Sequence, residues 1–315
     1  MKIYRAVGDV PAEARGAAIA LGNFDGVHQG HAHVIRAAHA ARPDAPLAVL
    51  TFEPHPREFF RPDDPPFRLT LAAERAAALA ALGVDILYEL RFDEAFSHMT
   101  ASQFCEDVLH GALGAAHLAC GADFAFGHRR GGDISLLGDE AARLGMGLTI
   151  VPPLTDAEGP ISSTRIRRLL QDGYPERAAT LLGRPHAIAG EVAHGDARGR
   201  TIGFPTANIA LGRHLEPARG VYVVRALLPD GRRVGGVANI GLRPTVGGTA
   251  TRLEAHLFDF EADLYGQVLS VSLLHFLRAE QKFADFAALR VQIEADASAA
   301  RRFLDRAEIP AKPGA

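Results

Sequence analysis

Residues 19–35 read IALGNFDGVHQGHAHVI, and the fold of the N-terminal half turns on them. Ile19, Ala20 and Leu21 are an apolar run of the kind that makes a short buried strand, and Gly22 permits a tight exit from it. Asp25 and Gly26 signal a turn, after which Val34 and Ile35 sit among small residues in a helix-like segment. His28 and His31 stand at i and i+3 near the start of that segment, so both imidazoles can occupy one face of its first turn. The same turn carries unpaired N–H groups and the positive end of a helix dipole. Strand, glycine turn and two histidines over a helix N-terminus together suit the phosphates of a nucleotide.

Outward from this stretch the pattern repeats. Residues 47–52 (LAVLTF) predict a second buried strand that runs into a rigid turn, Glu53-Pro54-His55-Pro56. An alanine-rich helix is expected over 70–82, stopped by Gly83, and a third strand over 84–90. Thr100 and Gln103 have capping-box spacing for a helix over 101–110. Short strands are expected at 117–120 and 148–152, with the glycine-rich turn GHRRGGD at 127–133 between them. Strands alternating with helices, with ligand-type loops after the strands, define an α/β doubly wound parallel sheet. At 161–167, ISSTRIR starts another helix with Ser162, Ser163 or Thr164 as its cap. Hydroxyls at a helix start, followed by Arg165, Arg167 and Arg168, make a second anion site.

After a short helix over 175–182, closed by Gly183, the pattern changes to short strands and glycine turns. The expected domains are therefore 1–183 and 184–315. Segments 187–192, 220–228, 234–240, 251–258 and 268–274 read as strands, which suggests a small antiparallel β-barrel. A helix from Phe283 to about Arg306 follows, with Phe286, Leu289, Ile293 and Phe303 as an apolar stripe for docking on the barrel. Within this half lies GRTIGFPTANI, 199–209. Gly199 and Gly203 give a loop able to close over phosphates, and Pro205 fixes the backbone before Thr206 and Asn208. Those two side chains share one face of an extended chain, and a hydroxyl with an amide carbonyl suits Mg²⁺ carrying a nucleotide. In RLEAHL, Leu253, Ala255 and Leu257 face one way while Glu254 and His256 face the other.

Composition narrows the chemistry. The 315 residues carry a net charge of −3, so no global basic field argues for nucleic acid. The start lacks a signal-peptide core, no segment approaches the length of a membrane span, and two cysteines imply no disulfide framework; a cytoplasmic location is expected. The lysines are Lys2, Lys282 and Lys312 alone, and no G-x-x-x-x-G-K-[ST] occurs, which excludes a P-loop kinase. Phosphate chemistry must rest on backbone N–H groups, Arg, His and metal.

GNFDGVHQGH, TFEPHP and ISSTRIR resemble the adenylyltransferase module of prokaryotic bifunctional FAD synthetases, a nucleotidyltransferase fold with HxGH and ISSTxxR signatures. GRTIGFPTANI, GVYVV, GVANIGLRPT, LEAHLFDF, DLYG and LRAEQKF resemble the riboflavin kinase module of the same proteins. The resemblance spans roughly residues 16–310. It implies ATP-binding roles for Gly22, Phe24, His28, His31, Ser163, Thr164 and Arg167, and a flavin pocket lined by Phe52, Pro54, Pro56, Phe60 and Asp123. In the kinase half it implies ATP binding by Gly199, Gly203, Pro205, Thr206 and Asn208, with Mg²⁺ on Thr206 and Asn208, and Glu254 as general base. Riboflavin, FMN and ATP are the implied small-molecule partners, without nucleic acid or membrane; oligomeric state is left open. An alcohol nucleophile needs a proton acceptor, whereas an FMN phosphate oxygen does not, and the carboxylate falls in the half that needs it.

Two positions depart from the family pattern. Arg75 stands where Lys is common, and Ala125 where Arg is common; Arg129 or Arg130 could replace the missing charge. Two rivals remain. One keeps a single competent half, which damage to a signature would favour, yet both sets stand intact apart from Ala125. The other is a nucleic-acid-associated protein, against which the acidic balance counts.

Overall fold

The computed structural model describes residues 1–194, 204–245 and 248–308. It divides into two compact units, Met1–Pro65 with Thr70–Ser162, and Pro66–Leu69 with the chain from Ser163 onward. In the first unit β1 (Lys2–Tyr4), β2 (Ala18–Leu21), β3 (Leu47–Glu53), β4 (Ile86–Arg91), β5 (His117–Gly121) and β6 (Gly147–Val151) form one sheet. Its order is β1-β4-β3-β2-β5-β6, and every pairing is parallel. All four residues of β2 are buried, as a strand covered on both faces must be. Ile19 and Leu21 point into one core layer, Ala18 and Ala20 into the other, where they meet Ile35 and Ala38 of helix α1 (Gln29–Ala41). A short hairpin, β7 (Thr155–Asp156) and β8 (Gly159–Pro160), follows the sheet.

The expected strands and helices of this unit are present, and the structure adds others, among them helix Ile134–Leu144. Strand β1 on the sheet edge is too short and too polar to stand out in the sequence. The segment taken as a rigid turn contains a cis Glu53–Pro54 bond and then a helix, Pro56–Phe60. His55 caps that helix by accepting the Arg57 N–H, while Glu58 accepts the His55 N–H. Past Phe104, the helix expected over 101–110 widens into π-helical geometry as far as Ala112.

The second unit begins with helices Ser163–Gln171 and Pro175–Leu182, the latter closed by Gly183 in the left-handed region. Strands β9 (His186–Ala193), β10 (Ala207–Ala210), β11 (Gly220–Leu227), β12 (Arg233–Thr245), β13 (Gly248–Leu257) and β14 (Val268–Ala279) close into an antiparallel barrel. Ile209, Tyr222, Ile240, Leu253, Ala255 and Val271 fill its interior. Helix Phe286–Glu308 docks on the outside, and Phe303 of the expected stripe packs against the docking cluster while Phe286 does not join it. Phe286 is 55% exposed; Ala297, Ala300 and Leu304 make the contact, on Val221, Val223, Val237 and Phe258. Small residues let the helix backbone approach closely, and Gly235 serves the same end from β12. A Cβ there would lie 2.6 Å from Leu304 Cδ1.

One half-buried titratable group ties the sheet to pH. His117 on β5 has its Nε2 2.8 Å from Thr149 Oγ1 on β6, and burial, with a smaller contribution from Arg42, pushes its pKa below the ordinary histidine value. The unfolded chain therefore takes up this proton first as pH falls, so the stability contribution is present above the ordinary histidine range and is lost below it. His117→Gln should flatten the decline in melting temperature between about pH 7 and pH 5; thermal melts across that range check it.

Candidate active sites

Because all six strands run parallel, the loops that follow β2, β3 and β5 open on one edge of the sheet, and β2 lies where the chain reverses its direction of winding. Doubly wound folds hold ligands at this place. The loop after β2 is buried and sharply bent. Gly22 donates its N–H to Leu50 O, and the Phe24 ring lies against it, 3.3 Å from where a Cβ would stand. Thr51 donates its hydroxyl to Asn23 O at 3.0 Å. Phe24 and Val27 adopt φ of 51° and 42°, with Gly26 at 86°.

His28 is the N-cap of α1. Its Nδ1 accepts the His31 N–H at 3.2 Å, so a neutral His28 carries its proton on Nε2 and presents an N–H donor there. The two imidazoles stack at 3.6 Å between centroids and 17° between planes, and Phe24 meets His31 edge-on at 5.2 Å. Gly30 makes the stack possible, since a Cβ on it would lie 3.1 Å from the His28 ring and from Ile161 O. Each fixed letter of HQGH thus has a steric or hydrogen-bonding reason.

On the same edge, the residues expected to meet a flavin belong to a larger ring system. Phe60, Phe92, Phe52, Phe96, Phe104, Phe126 and Phe124 follow one another at centroid distances between 5.0 and 6.0 Å. Phe52 is half-buried, Phe60 is 62% exposed and Asp123 is exposed; Pro54 and Pro56 are half-buried. Sequence reasoning found Phe52 and Phe60 and missed the rest. The signal was there in 17 phenylalanines and no tryptophan. An apolar row of rings with a wet end is suited to a planar aromatic ligand.

Arg75 proves to be structural. Fully buried, its Nη2 donates to Glu53 and Glu89 at 2.9 Å each and to Phe52 O at 3.3 Å, which binds the ends of β3 and β4 together beneath the rings. Arg129 and Arg130 are exposed and both in the left-handed region, at φ 52° and 57°.

In the second unit, Ser163 opens its helix, Thr164 is exposed, and Arg167 donates its Nε to Phe67 O at 2.8 Å with its guanidinium over the Phe67 ring. The barrel contributes a different face. Asn208 of β10 stands directly opposite Glu254 of β13, which stands opposite Asn239 of β12. Since Ile209, Leu253, Ala255 and Ile240 point inward, this row faces away from the barrel interior, with Asn208 buried and Glu254 and Asn239 half-buried. Asn208 donates its amide N–H to Thr206 O at 3.2 Å, leaving its carbonyl oxygen for a ligand. His256, two residues from Glu254, has its Nδ1 2.9 Å from Pro205 O and meets the Phe204 ring edge-on, so it fixes the strand entry that carries Thr206. Arg243 of β12 grips Glu254 with two parallel bonds of 2.7 and 2.9 Å. The sequence placed His256 on the face of Glu254 without a role, and it did not single out Arg243. Gly199 and Gly203 lie outside the described residues.

A hydroxyl and an amide carbonyl, those of Thr206 and Asn208, are hard oxygen donors, a pair that fits Mg²⁺ completed by water and nucleotide phosphates. Among the described residues no cluster of three or more His, Cys, Asp or Glu is placed to hold a metal by itself. No described helix is long and apolar enough to cross a membrane.

The fold and the two sites define a class of chain in which a nucleotidyltransferase-type sheet precedes a flavokinase-type barrel. Family models match it in that order, FAD synthetase over residues 10–165 and riboflavin kinase over 182–304. A bifunctional riboflavin kinase/FMN adenylyltransferase of Escherichia coli K12 is 42% identical over 96% of this chain and 98% of its own length. One so named from Bacillus subtilis is 38% identical over 90% and 92%. The crystal structure of a protein from Streptococcus pneumoniae, described as a macrolide-efflux protein, superposes with a TM-score of 0.84 at 36% identity, covering 95% of this chain and 98% of that one. The chain belongs to the bifunctional riboflavin kinase/FMN adenylyltransferase family.

Proposed function

We infer that the chain carries out two ATP-dependent reactions, phosphorylation of riboflavin to FMN and adenylyl transfer from ATP to FMN, giving FAD and pyrophosphate. The observation that carries this reading is how the two sites treat carboxylates. Glu254 stands on an outer barrel face beside Asn208, where an alcohol must lose its proton as the phosphoryl group arrives. The one carboxylate of loop 22–28, Asp25, is buried and bonded to Thr70, while the groups at the helix start are stacked imidazoles. A phosphate nucleophile needs no base, and donors that stabilise charge on the transferring group suffice.

In the adenylyl half, His28 and His31 bind the ATP phosphates, helped by the loop that Gly22 and Phe24 shape, and Ser163, Thr164 and Arg167 bind the triphosphate. The flavin rests on Phe52, Pro54, Pro56 and Phe60, with Asp123 near the junction of nucleotide and flavin. In the kinase half, Thr206 and Asn208 hold Mg²⁺, which would neutralise charge on the nucleotide phosphates. Glu254 takes the proton of the 5′-hydroxyl, and Arg243 fixes the plane of its carboxylate. The modules are 1–183 and 184–315, and a fragment starting near Gly183 should keep kinase activity. A cytoplasmic setting agrees with Cys105 and Cys120, both free and buried, their thiols pushed up to about 12 by burial.

Supplying riboflavin and Mg²⁺–ATP, and following FMN and FAD by chromatography, tests the assignment. His28→Ala should lower FAD formation at least about a hundredfold and leave FMN formation intact. Glu254→Ala should do the reverse, by roughly a hundredfold or more. Loss of both activities in either variant contradicts two separate sites. Arg243→Gln should lower the turnover of FMN formation about tenfold while adenylyl transfer to supplied FMN stays at the parent rate.

A further inference from the structure

Loop 22–28 reaches His28 by a strained route. Phe24 and Val27 both lie in the left-handed region, where a bulky or β-branched residue seldom stays unless its surroundings over-determine it. What surrounds them is a pair of reciprocal hydrogen bonds. Asp25 Oδ1 accepts the Thr70 N–H at 3.0 Å and lies 3.5 Å from the Thr70 hydroxyl, while Gly26 donates its N–H to Thr70 Oγ1 at 2.9 Å. Asp25 is 2% exposed and Thr70 6%.

Thr70 is itself anchored. It stands just before helix Ala72–Ala81, whose first turn is closed by Glu74 accepting the Leu71 N–H at 2.7 Å. The clamp therefore joins the loop to a fixed element 45 residues away in sequence. Its two consequences reach both histidines. Phe24, next to Asp25, sets its ring edge against His31, and Val27, next to Gly26, delivers the chain to His28 at the helix cap. If Phe24 and Val27 relaxed to ordinary backbone angles, the first would withdraw from His31 and the second would pull His28 off the cap.

We propose that Asp25 and Thr70 are positioning residues for adenylyl transfer, which hold loop 22–28 in its strained form so that His28 and His31 are stacked and aimed before the nucleotide arrives. This rests on the reading of those histidines as phosphate-binding groups. A group that only stabilises the first unit would lower FAD formation in step with the melting temperature; a positioning group lowers its turnover at an unchanged melting temperature.

The test uses the full chain, with FAD formation from FMN and ATP, FMN formation from riboflavin and ATP, and thermal melts measured on the same samples. Thr70→Val keeps the shape but removes the acceptor for the Gly26 N–H. It should lower kcat for FAD formation at least about tenfold, with KM for ATP within about threefold and FMN formation unchanged. Thr70→Ser, which keeps the hydroxyl, should restore most of the rate. A parental kcat in Thr70→Val overturns the proposal, as does an equal loss in Thr70→Ser, or a loss of FAD formation in step with a lower melting temperature. His28→Ala separates the two levels. Full FAD formation in it refutes the phosphate role and the clamp's purpose with it, whereas its loss beside a parental Thr70→Val refutes the clamp alone.

Discussion

Parallel pairing of the six N-terminal strands is the constraint from which the adenylyl site follows. In an antiparallel sheet the loops after β2, β3 and β5 would alternate between edges. Here they emerge together, so the histidine loop, the Pro54–Pro56 turn and the Asp123 turn share one edge although about a hundred residues of chain separate the first from the last. The strands accept this arrangement because they are apolar on both faces and helices cover both. Within that frame the histidine loop is the expensive part. Left-handed Phe24 and Val27 each cost on the order of 1–3 kcal/mol. Hydrogen bonds to a buried carboxylate return about 1.5–3 kcal/mol apiece, which is enough to keep the loop bent but leaves little surplus.

The barrel solves a different problem by a different rule. A six-stranded barrel fills its interior with side chains, so chemistry has to be mounted outside. Period-two alternation does this without further devices, since once Leu253 and Ala255 are committed to the core, Glu254 must face outward, and antiparallel register sets it between Asn208 and Asn239. The outer surface elsewhere is covered by the terminal helix, which lies close because Ala297 and Ala300 are small and Gly235 has no side chain.

Legibility in the sequence followed these rules closely. Buried strands announce themselves as apolar runs and outward residues as alternation, so the sheet, the barrel, the placement of Glu254 and the histidines over the helix start were readable. Contacts between residues distant in the chain were not. Nothing local in Thr70 says that it will hold Asp25, nothing in Arg243 says that it will grip Glu254, and nothing in Arg75 names Glu53 and Glu89 as its partners. The terminal helix misled for a related reason. Large apolar residues such as Phe286 stand out on a helical wheel, whereas the docking face is built from alanines whose value is what they leave out.

The two carboxylates at the centre of the sites are held by different kinds of group, and the difference is instructive. Asp25 is held by backbone N–H and hydroxyl groups deep in the protein, so it is spent on geometry and offers nothing to a substrate. Glu254 is held by a half-exposed guanidinium, and a carboxylate has about four lone-pair positions, of which a fork of two N–H groups occupies two. The rest remain available to a hydroxyl. Orientation and availability are thus compatible at Glu254 and exclusive at Asp25, which is the distinction a chain must make if one of its reactions needs a base and the other needs only a preorganised cradle for phosphate.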